Sequence, residues 1–230
     1  WLDELPDRFS GCLVGNEVLD AMPTHLLRWE PASDVFESGV GAADRHLVAA
    51  ERPAEGALLA AAQALQVHAP HRGEICLAAS AWVGELARRL DTGAMLLIDY
   101  GLPRHELYHP QRDGGTLRCH YRHRVHDDPF WLPGLSDITA HVDFTAVAEA
   151  GFDAGLDVLG YTSQANFLIN CGIGAGLAAD GSAADLRTRG AVNVLISPNE
   201  MGETFKVIAL GRGLAEPLLG FARGDRVHTL

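Results

Sequence analysis

Two groups of polar residues stand directly after apolar runs that are typical of buried strands, one run over residues 11–15 and the other over residues 94–98. In an open α/β sheet, side chains at the carboxyl ends of parallel strands line the crevice in which ligands bind. Carboxylates in such a crevice can hold a cation through charge-assisted hydrogen bonds. We therefore expect both groups to face one cleft. Its polar residues are Asn16, Glu17 and Asp20 from the first group and Asp99, Tyr100 and Gly101 from the second.

The same residues also fit a structural interpretation. Asn16 and Asp20 are residue types that are common in turns and helix caps, and Asp99 can bond the backbone of a turn. Because two such groups occur together, the sequence leaves the ligand-binding and the structural interpretation equally open.

A pentapeptide with the H-E-x-x-H zinc pattern occupies residues 105–109. Pro103 and Pro110 bracket it, so we do not expect the long helix that would aim both imidazoles at one metal. Three histidines follow at intervals of three residues, interleaved with arginines, which favours a cationic loop over an acidic cleft rather than a metal cage. The histidines are His120, His123 and His126, and the arginines are Arg118, Arg122 and Arg124. We expect no metal site.

The elements that must position these residues alternate between helices and strands. Apolar spacing predicts a helix over Glu74–Leu90, which ends near Gly93. The continuous apolar run Ala94–Ile98 predicts a strand covered on both faces, as in a parallel sheet. A further strand is predicted over Leu156–Gly160. This order favours a doubly wound α/β sheet.

Two other segments have a different character. Short apolar stretches separated by turn residues predict an antiparallel meander over His25–Arg52. The prolines, histidines and arginines of Leu102–Leu135 predict a long ordered loop with one strand near Thr116–Tyr121.

The last third of the chain carries clear boundary signals. Asp143 can cap a helix that ends at Gly151, and Ser163 can cap another that ends at Gly172. Ser182 is expected to begin a third helix. The final strand is predicted over residues 204–210, antiparallel at a sheet edge.

The composition excludes several classes of protein. The 230 residues, 47% of them hydrophobic, suffice for a core of one domain. Eighteen Lys and Arg against thirty Asp and Glu give a net charge of −12, the wrong sign for a main partner that is nucleic acid. No run approaches the roughly 18–20 apolar residues of a membrane helix, so no membrane insertion is expected. The four cysteines are widely spaced and no signal peptide opens the chain, so a cytoplasmic location is expected.

Two specific motifs resemble those of a known family. Residues 16–25 read N-E-x-x-D-A-x-P-x-H, and residues 137–144 read D-I-T-A-H-V-D-F. Together they resemble the MidA-type family of S-adenosylmethionine-dependent methyltransferases, whose mitochondrial member is an arginine methyltransferase that assists assembly of respiratory complex I. Further matching segments are Leu97–Gly101, Gly115–Leu117 with His123, and Gly160–Leu168.

The resemblance implies a fold as well as a reaction. It implies a Rossmann-like class I methyltransferase sheet over residues 1–230, with the antiparallel segment as an insertion over residues 25–72. Family members carry a glycine-rich cofactor loop and an acidic residue before the position of Trp1, and neither is in this sequence. We therefore expect a partial domain that lacks the first strands of the sheet. Such a domain would leave unpaired backbone groups at a sheet edge, so we expect it to pair with another chain or a missing segment.

The resemblance also implies roles for particular residues. Methyl transfer to a guanidinium needs carboxylates that orient the nitrogen and stabilise its charge. The implied catalytic residues are Glu17, Asp20 and His141, with Asn16 and Glu17 at the cofactor, S-adenosylmethionine. The implied substrate-binding residues are His25, Asp99, Tyr100, Asp137, Thr139 and Asp143. His141 is expected to act with Asp137 or Asp143, although Asp143 is as readily an ordinary helix cap.

Two functions are compatible with the sequence. The first is methylation of arginine in a protein substrate, such as a subunit of a respiratory complex, within a pocket of acids formed by residues 16–20 and closed by the stretch around His141. The second is a non-catalytic binding or assembly module, which the absence of the cofactor loop would favour.

Overall fold

The computed structural model describes residues 4–122, 124–175, 177 and 182–230. His123 of the predicted cationic loop lies outside these residues. Strands and helices are numbered in chain order. The strands are β1 (Phe9–Asn16), β2 (His25–Trp29), β3 (Val35–Ala43), β4 (His46–Pro53), β5 (His71–Ile75), β6 (Leu90–Leu102), β7 (Arg118–Tyr121), β8 (Arg124–His126), β9 (Asp137–Thr139), β10 (Val142–Asp143), β11 (Asp157–Ser163) and β12 (Phe205–Arg212). The helices are α1 (Gly56–Ala64), α2 (Leu77–Arg89), α3 (Arg104–Leu107), α4 (Phe144–Asp153), α5 (Gln164–Asn170), α6 (Ala183–Ile196) and α7 (Met201–Thr204).

The chain divides into two compact units. The first unit comprises the residues up to Val18, Trp82–Gly101 and Phe144–Leu230. The second unit comprises Leu19–Ala81 and Leu102–Asp143. Among the helices that the structure describes, none has the length and apolar character needed to cross a membrane.

The sheet of the first unit is mixed. Its strand order is β1, β6, β12, β11, with β6 parallel to β1 and antiparallel to β12. The α/β class is therefore confirmed, but the last strand is not at an edge as predicted. β12 lies between β6 and β11, and residues 207–210 are fully buried. An apolar run of this kind is typical of an interior strand, because both of its faces must be covered.

The strand that precedes Glu17 is less buried than the sequence predicts. β1 pairs only with β6 among the described strands, and the side chain of Val14 is 62% exposed. The prediction of a buried strand is therefore wrong for most of β1, because nothing in the described chain covers its outer side. The expected pairing of this edge with another chain or segment stays a prediction.

Two helix caps are confirmed as predicted. The Ser163 hydroxyl accepts a hydrogen bond from the backbone N–H of Asn166 at 3.4 Å and caps α5. The Ser182 hydroxyl accepts one from the N–H of Asp185 at 3.1 Å and caps α6. Each cap satisfies a backbone donor that has no partner within its own helix.

Two predicted helix boundaries are wrong. The helix expected from Glu74 begins only at Leu77, because residues 71–75 form β5 and pair with β2. The helix expected to end at Gly151 continues to Asp153. At Gly151 a Cβ would come within 2.7 Å of the Leu210 side chain, so this glycine permits close packing of helix on strand rather than ending the helix.

The second unit contains the antiparallel strands that the sequence predicts. Its larger sheet has the order β4, β3, β2, β5, and the smaller sheet has the order β8, β7, β9. The core of the larger sheet surrounds Trp29, whose indole N–H donates to the carbonyl of Ala62 in α1 at 3.1 Å. Its buried residues are Leu27, Trp29, Val35, Ala54, Leu58, Ala62 and Ile75. The predicted strand near residues 116–121 is β7, but α3, β8 and β9 add more regular structure than expected.

His71 is a buried histidine in this unit. Its side chain is 2% exposed, and its ring centroid lies 5.8 Å from that of Trp29 and 6.4 Å from that of Tyr108. Nδ1 has no hydrogen-bond partner among the described residues. Burial lowers the pKa of His71, an effect that the nearby carboxylates of Asp113 and Glu74 partly offset.

This burial predicts a pH-dependent stability. In the unfolded chain, His71 takes up a proton near pH 6.5, whereas the folded chain does so only at lower pH. The contribution of neutral His71 is therefore complete above about pH 6.5 and is lost as the pH falls below that value. Urea unfolding at pH 7.5 and pH 5.5 should show a smaller loss of stability in His71→Phe than in the wild type.

The exposed His68 provides a matched control. His68→Gln should lose as much stability between the two pH values as the wild type does. Equal losses in His71→Phe and the wild type would contradict the assignment to His71.

Candidate active site

The carboxyl end of β1 lies beside residues 98 and 99 of β6, which continues to Leu102. The strands run parallel with Asn16 opposite Ile98. The backbone N–H of Glu17 donates to the carbonyl of Ile98 at 2.9 Å, and the N–H of Val18 donates to Oδ2 of Asp99 at 3.1 Å. The prediction that Asp99 and Tyr100 follow the end of their strand is wrong, because both lie within β6, where they pair with β12. The expected cleft stays a prediction.

Asp99 is a buried carboxylate that binds backbone. It is 1% exposed, and its Oδ1 accepts a hydrogen bond from the N–H of Tyr100 at 2.9 Å while Oδ2 accepts the one from Val18. The Tyr100 ring packs edge-on against Phe205, with centroids 5.5 Å apart. These contacts are those of the structural interpretation, in which Asp99 fixes the chain that follows β1. Substrate binding by Asp99 and Tyr100 stays a prediction.

Glu17 differs from its neighbours in backbone and exposure. Its φ of +50° lies in the left-handed region, which is uncommon for a residue with a side chain and concentrates at functional sites. Glu17 and Asn16 are both exposed, and the Asn16 amide donates to Oε1 of Glu17 at 3.1 Å. The strand end thus presents an amide and a carboxylate to solvent, with the backbone beneath them held by Ile98 and Asp99.

In the second unit, Asp20 and the stretch around His141 lie next to each other. Asp20 is 6% exposed, and its carbonyl accepts a hydrogen bond from the N–H of Ala140 at 3.1 Å. The N–H of His141 donates to the hydroxyl of Thr116 at 3.0 Å. Two segments that the sequence assigns to one site, although they are 120 residues apart in the chain, are therefore neighbours.

The acidic residues expected to act with His141 have other contacts. Oδ2 of Asp143 accepts a hydrogen bond from Nε of Arg104 at 3.2 Å. Asp137 is exposed on β9, opposite His120 of β7, and Thr139 is buried at the end of β9. The expected pairing of His141 with either acid, and the substrate-binding roles of Asp137, Thr139 and Asp143, stay predictions.

His25 lies at the start of β2 and belongs to an ionic cluster. Its Nδ1 lies 2.7 Å from Oε1 of Glu37, and Arg52 binds the other oxygen of that carboxylate at 2.6 Å. The hydrogen bond from His25 and, after it, that from Arg52 lower the pKa of Glu37. The contact between His25 on β2 and Glu37 on β3 gives this histidine a structural role within the sheet. Its substrate-binding role stays a prediction.

The zinc-like pentapeptide is divided by a helix end. The four-residue helix α3 ends at Leu107, so His105 lies within it and His109 beyond it. Within the described ranges, no three potential metal-ligating side chains form a cluster.

Glu74 is not among the residues that the sequence predicts for the site. This half-buried residue on β5 accepts hydrogen bonds from the N–H and the hydroxyl of Thr116, both at 2.9 Å, and from the N–H of Leu117 at 3.1 Å. Residues 71–75 alternate between buried and more exposed positions, with His71, Gly73 and Ile75 buried. This alternation could have indicated the strand on which Glu74 lies. The helical spacing of the following residues concealed it.

Comparison with known proteins identifies the family. Residues 1–162 match the model of a family described as "Putative S-adenosyl-L-methionine-dependent methyltransferase". The chain is 30% identical to "Protein arginine methyltransferase NDUFAF7, mitochondrial" of Danio rerio over 222 residues, which cover 91% of this chain and 49% of that protein. The chain spans about half the length of the curated relatives it matches.

Two crystal structures of Burkholderia thailandensis proteins share the fold. One, bound to S-adenosyl-homocysteine, is 51% identical with a TM-score of 0.92, over 100% of this chain and 60% of that chain. The other is 53% identical with a TM-score of 0.94, over 100% of this chain and 63% of that chain. Since the family match covers well over half of its residues, this chain belongs to the MidA-type family of S-adenosylmethionine-dependent methyltransferases.

Proposed function

We propose that the whole protein transfers a methyl group from S-adenosylmethionine to an arginine side chain of a protein substrate. The observation that carries this proposal is the exposed Glu17 carboxylate at the carboxyl end of β1, on backbone held by Ile98 and Asp99. The S-adenosyl-homocysteine bound to a similar structure supports the cofactor. The name of the Danio rerio relative supports arginine as the acceptor.

The residues at this strand end fit contact with the cofactor and with a cationic acceptor. When bound, S-adenosylmethionine supplies a methyl group to the acceptor nitrogen, as the C–S bond breaks with its electron pair remaining on sulfur and the nitrogen gives up one proton. The Glu17 carboxylate would accept hydrogen bonds from the guanidinium and direct its nitrogen toward the methyl group. Asn16, which donates to Oε1 of Glu17, would fix the orientation of that carboxylate. Asn16 and Glu17 are the residues that would contact the cofactor.

Asp20 and His141 are the proposed acceptor-side residues of the second unit. A carboxylate suits a guanidinium, and an imidazole can accept a proton near neutral pH. The N–H of Ala140, the residue before His141, donates a hydrogen bond to the carbonyl of Asp20. This contact supports the assignment, because it brings the backbone next to His141 close to Asp20. The net charge of −12 suits a basic protein partner, because it would steer the approach of that partner.

The partner and the location are also proposals. The resemblance favours a respiratory-complex subunit as the acceptor protein, and the sequence favours a cytoplasmic location.

Calorimetry and product analysis test the proposal. The full-length protein should bind S-adenosylmethionine in a calorimeter. With methyl-labelled cofactor, it should label peptides from an array in which each arginine peptide has a lysine counterpart. Hydrolysates of the labelled peptides should contain methylarginine.

Each result has a distinct meaning. Label on the lysine peptides alone would overturn arginine as the acceptor. Absence of cofactor binding would overturn methyl transfer and favour the non-catalytic binding module.

A further inference from the structure

A polar network in the second unit runs from the sheet to His141. Glu74 lies on β5, where it stands opposite Leu26 of β2. Its own carbonyl accepts a hydrogen bond from the hydroxyl of Tyr108 at 2.8 Å. The backbone of Glu74 is therefore held by strand pairing and by Tyr108, independently of the hydrogen bonds to its carboxylate.

The chain after Gly115 wraps around the Glu74 carboxylate. Gly115 has a φ of +76°, and a Cβ at this position would collide with Oε1 of Glu74. This close approach brings the N–H groups of Thr116 and Leu117 onto the carboxylate. Hydrogen bonds to a charged acceptor are stronger than those between neutral groups, so the carboxylate determines where this loop lies.

Thr116 links the Glu74 carboxylate to the backbone of His141. Its hydroxyl donates to Oε2 of Glu74 at 2.9 Å and accepts a hydrogen bond from the N–H of His141 at 3.0 Å. Because the hydroxyl proton is directed at the carboxylate, the oxygen lone pairs remain for His141, and bonds in such a chain strengthen one another. On the other side, the N–H of Ala140 donates to the carbonyl of Asp20. The backbone of residues 140 and 141 is thus hydrogen-bonded to Asp20 through Ala140 and to Thr116 through His141.

We propose that Glu74 is a positioning residue that acts through Thr116 to fix the backbone of His141 beside Asp20. Its importance for methyl transfer rests on the proposed function, in which Asp20 and His141 act on the acceptor. The positioning of His141 itself does not depend on that function and is tested separately.

Hydrogen exchange at single amides of the full-length protein tests the positioning. In Thr116→Val, which lacks the hydroxyl, the His141 amide should exchange roughly 10-fold faster, because one hydrogen bond is lost. The Leu117 amide should be unchanged, because it still bonds Glu74. Thr116→Ser should restore slow exchange at His141. In Glu74→Gln the amides of Thr116, Leu117 and His141 should all exchange faster.

A matched control and a kinetic readout complete the test. The control is Glu51→Gln, because the Glu51 carboxylate is also hydrogen-bonded in this unit, where it binds Arg28. This substitution should leave hydrogen exchange at the His141 amide unchanged. With an arginine peptide that the wild type methylates, Thr116→Val should lower kcat roughly 10-fold while the affinity for S-adenosyl-homocysteine stays the same. Thr116→Ser should recover kcat.

The outcomes separate the two proposals. Unchanged exchange at His141 in Thr116→Val would overturn the positioning. Faster exchange with unchanged kcat would overturn the link to catalysis. A wild type that transfers no methyl group would overturn the proposed function and this link together, whereas faster exchange at His141 would still support the positioning of its backbone.

Discussion

Glu17→Gln is expected to lower methyl transfer by the full-length protein by about 10²–10³-fold, the usual cost of removing one group that stabilises charge in a transition state. The substitution keeps the shape of the side chain and its bond from Asn16 but removes the negative charge that would hold the guanidinium. The fold should persist, since the backbone N–H of Glu17 bonds the carbonyl of Ile98 and the side-chain oxygen of glutamine can also accept the hydrogen bond from Asn16. Labelled methyl transfer and a urea unfolding curve measure the two effects.

The exposed Glu216 in the same unit serves as the matched control. Glu216→Gln changes the net charge equally and should retain wild-type activity. Activity of Glu17→Gln within about twofold of wild type would remove Glu17 from the mechanism.

Gly93→Ala is expected to destabilise the protein by about 3 kcal/mol or more, the sum of backbone strain and a steric clash. Gly93 has a φ of +131°, and a Cβ there would collide with the backbone carbonyl of Gly11. Gly93 and Gly11 face each other in the pairing of β6 with β1. The same pairing places Glu17 beside Asp99, so activity should fall along with stability. Urea unfolding measures the first effect.

Gly190→Ala is a control of opposite sign. This glycine lies inside α6, and a Cβ added there would meet open space. Alanine there should stabilise the protein by about 0.5–1 kcal/mol. Stability of Gly93→Ala within about 0.5 kcal/mol of wild type would contradict the close approach of the two strands.

The features that the sequence predicts well are those with local causes. Ser163 and Ser182 cap helices because each hydroxyl reaches a backbone N–H three residues ahead. Glu17 lies near Asp99 because the apolar runs before these two residues form the neighbouring parallel strands β1 and β6, with Asn16 opposite Ile98. Spacing within one segment is sufficient for the two caps, whereas the meeting of Glu17 and Asp99 also requires the pairing of two distant strands.

The features that the sequence does not predict depend on distant partners. Residues 74 and 75 of the predicted helix belong instead to β5, because pairing with β2 outweighs local spacing. Glu74 meets Thr116 across 42 residues of chain, and Thr116 meets His141 across 25. No periodicity within a segment encodes such contacts. Gly93 was interpreted as a helix end because its actual role, close approach to Gly11, is visible only once the strands are paired.

A crystal structure of the full-length protein with S-adenosyl-homocysteine would show whether the Glu17 carboxylate can hold the acceptor beside the methyl donor. The C–S bond, one near-attack separation and one hydrogen bond together predict a distance of about 6–8 Å between the cofactor sulfur and the nearer Glu17 carboxylate oxygen. A single guanidinium fits within this distance. A sulfur more than about 12 Å from that carboxylate could not share one acceptor with it, and this result would exclude Glu17 as the residue that holds the acceptor.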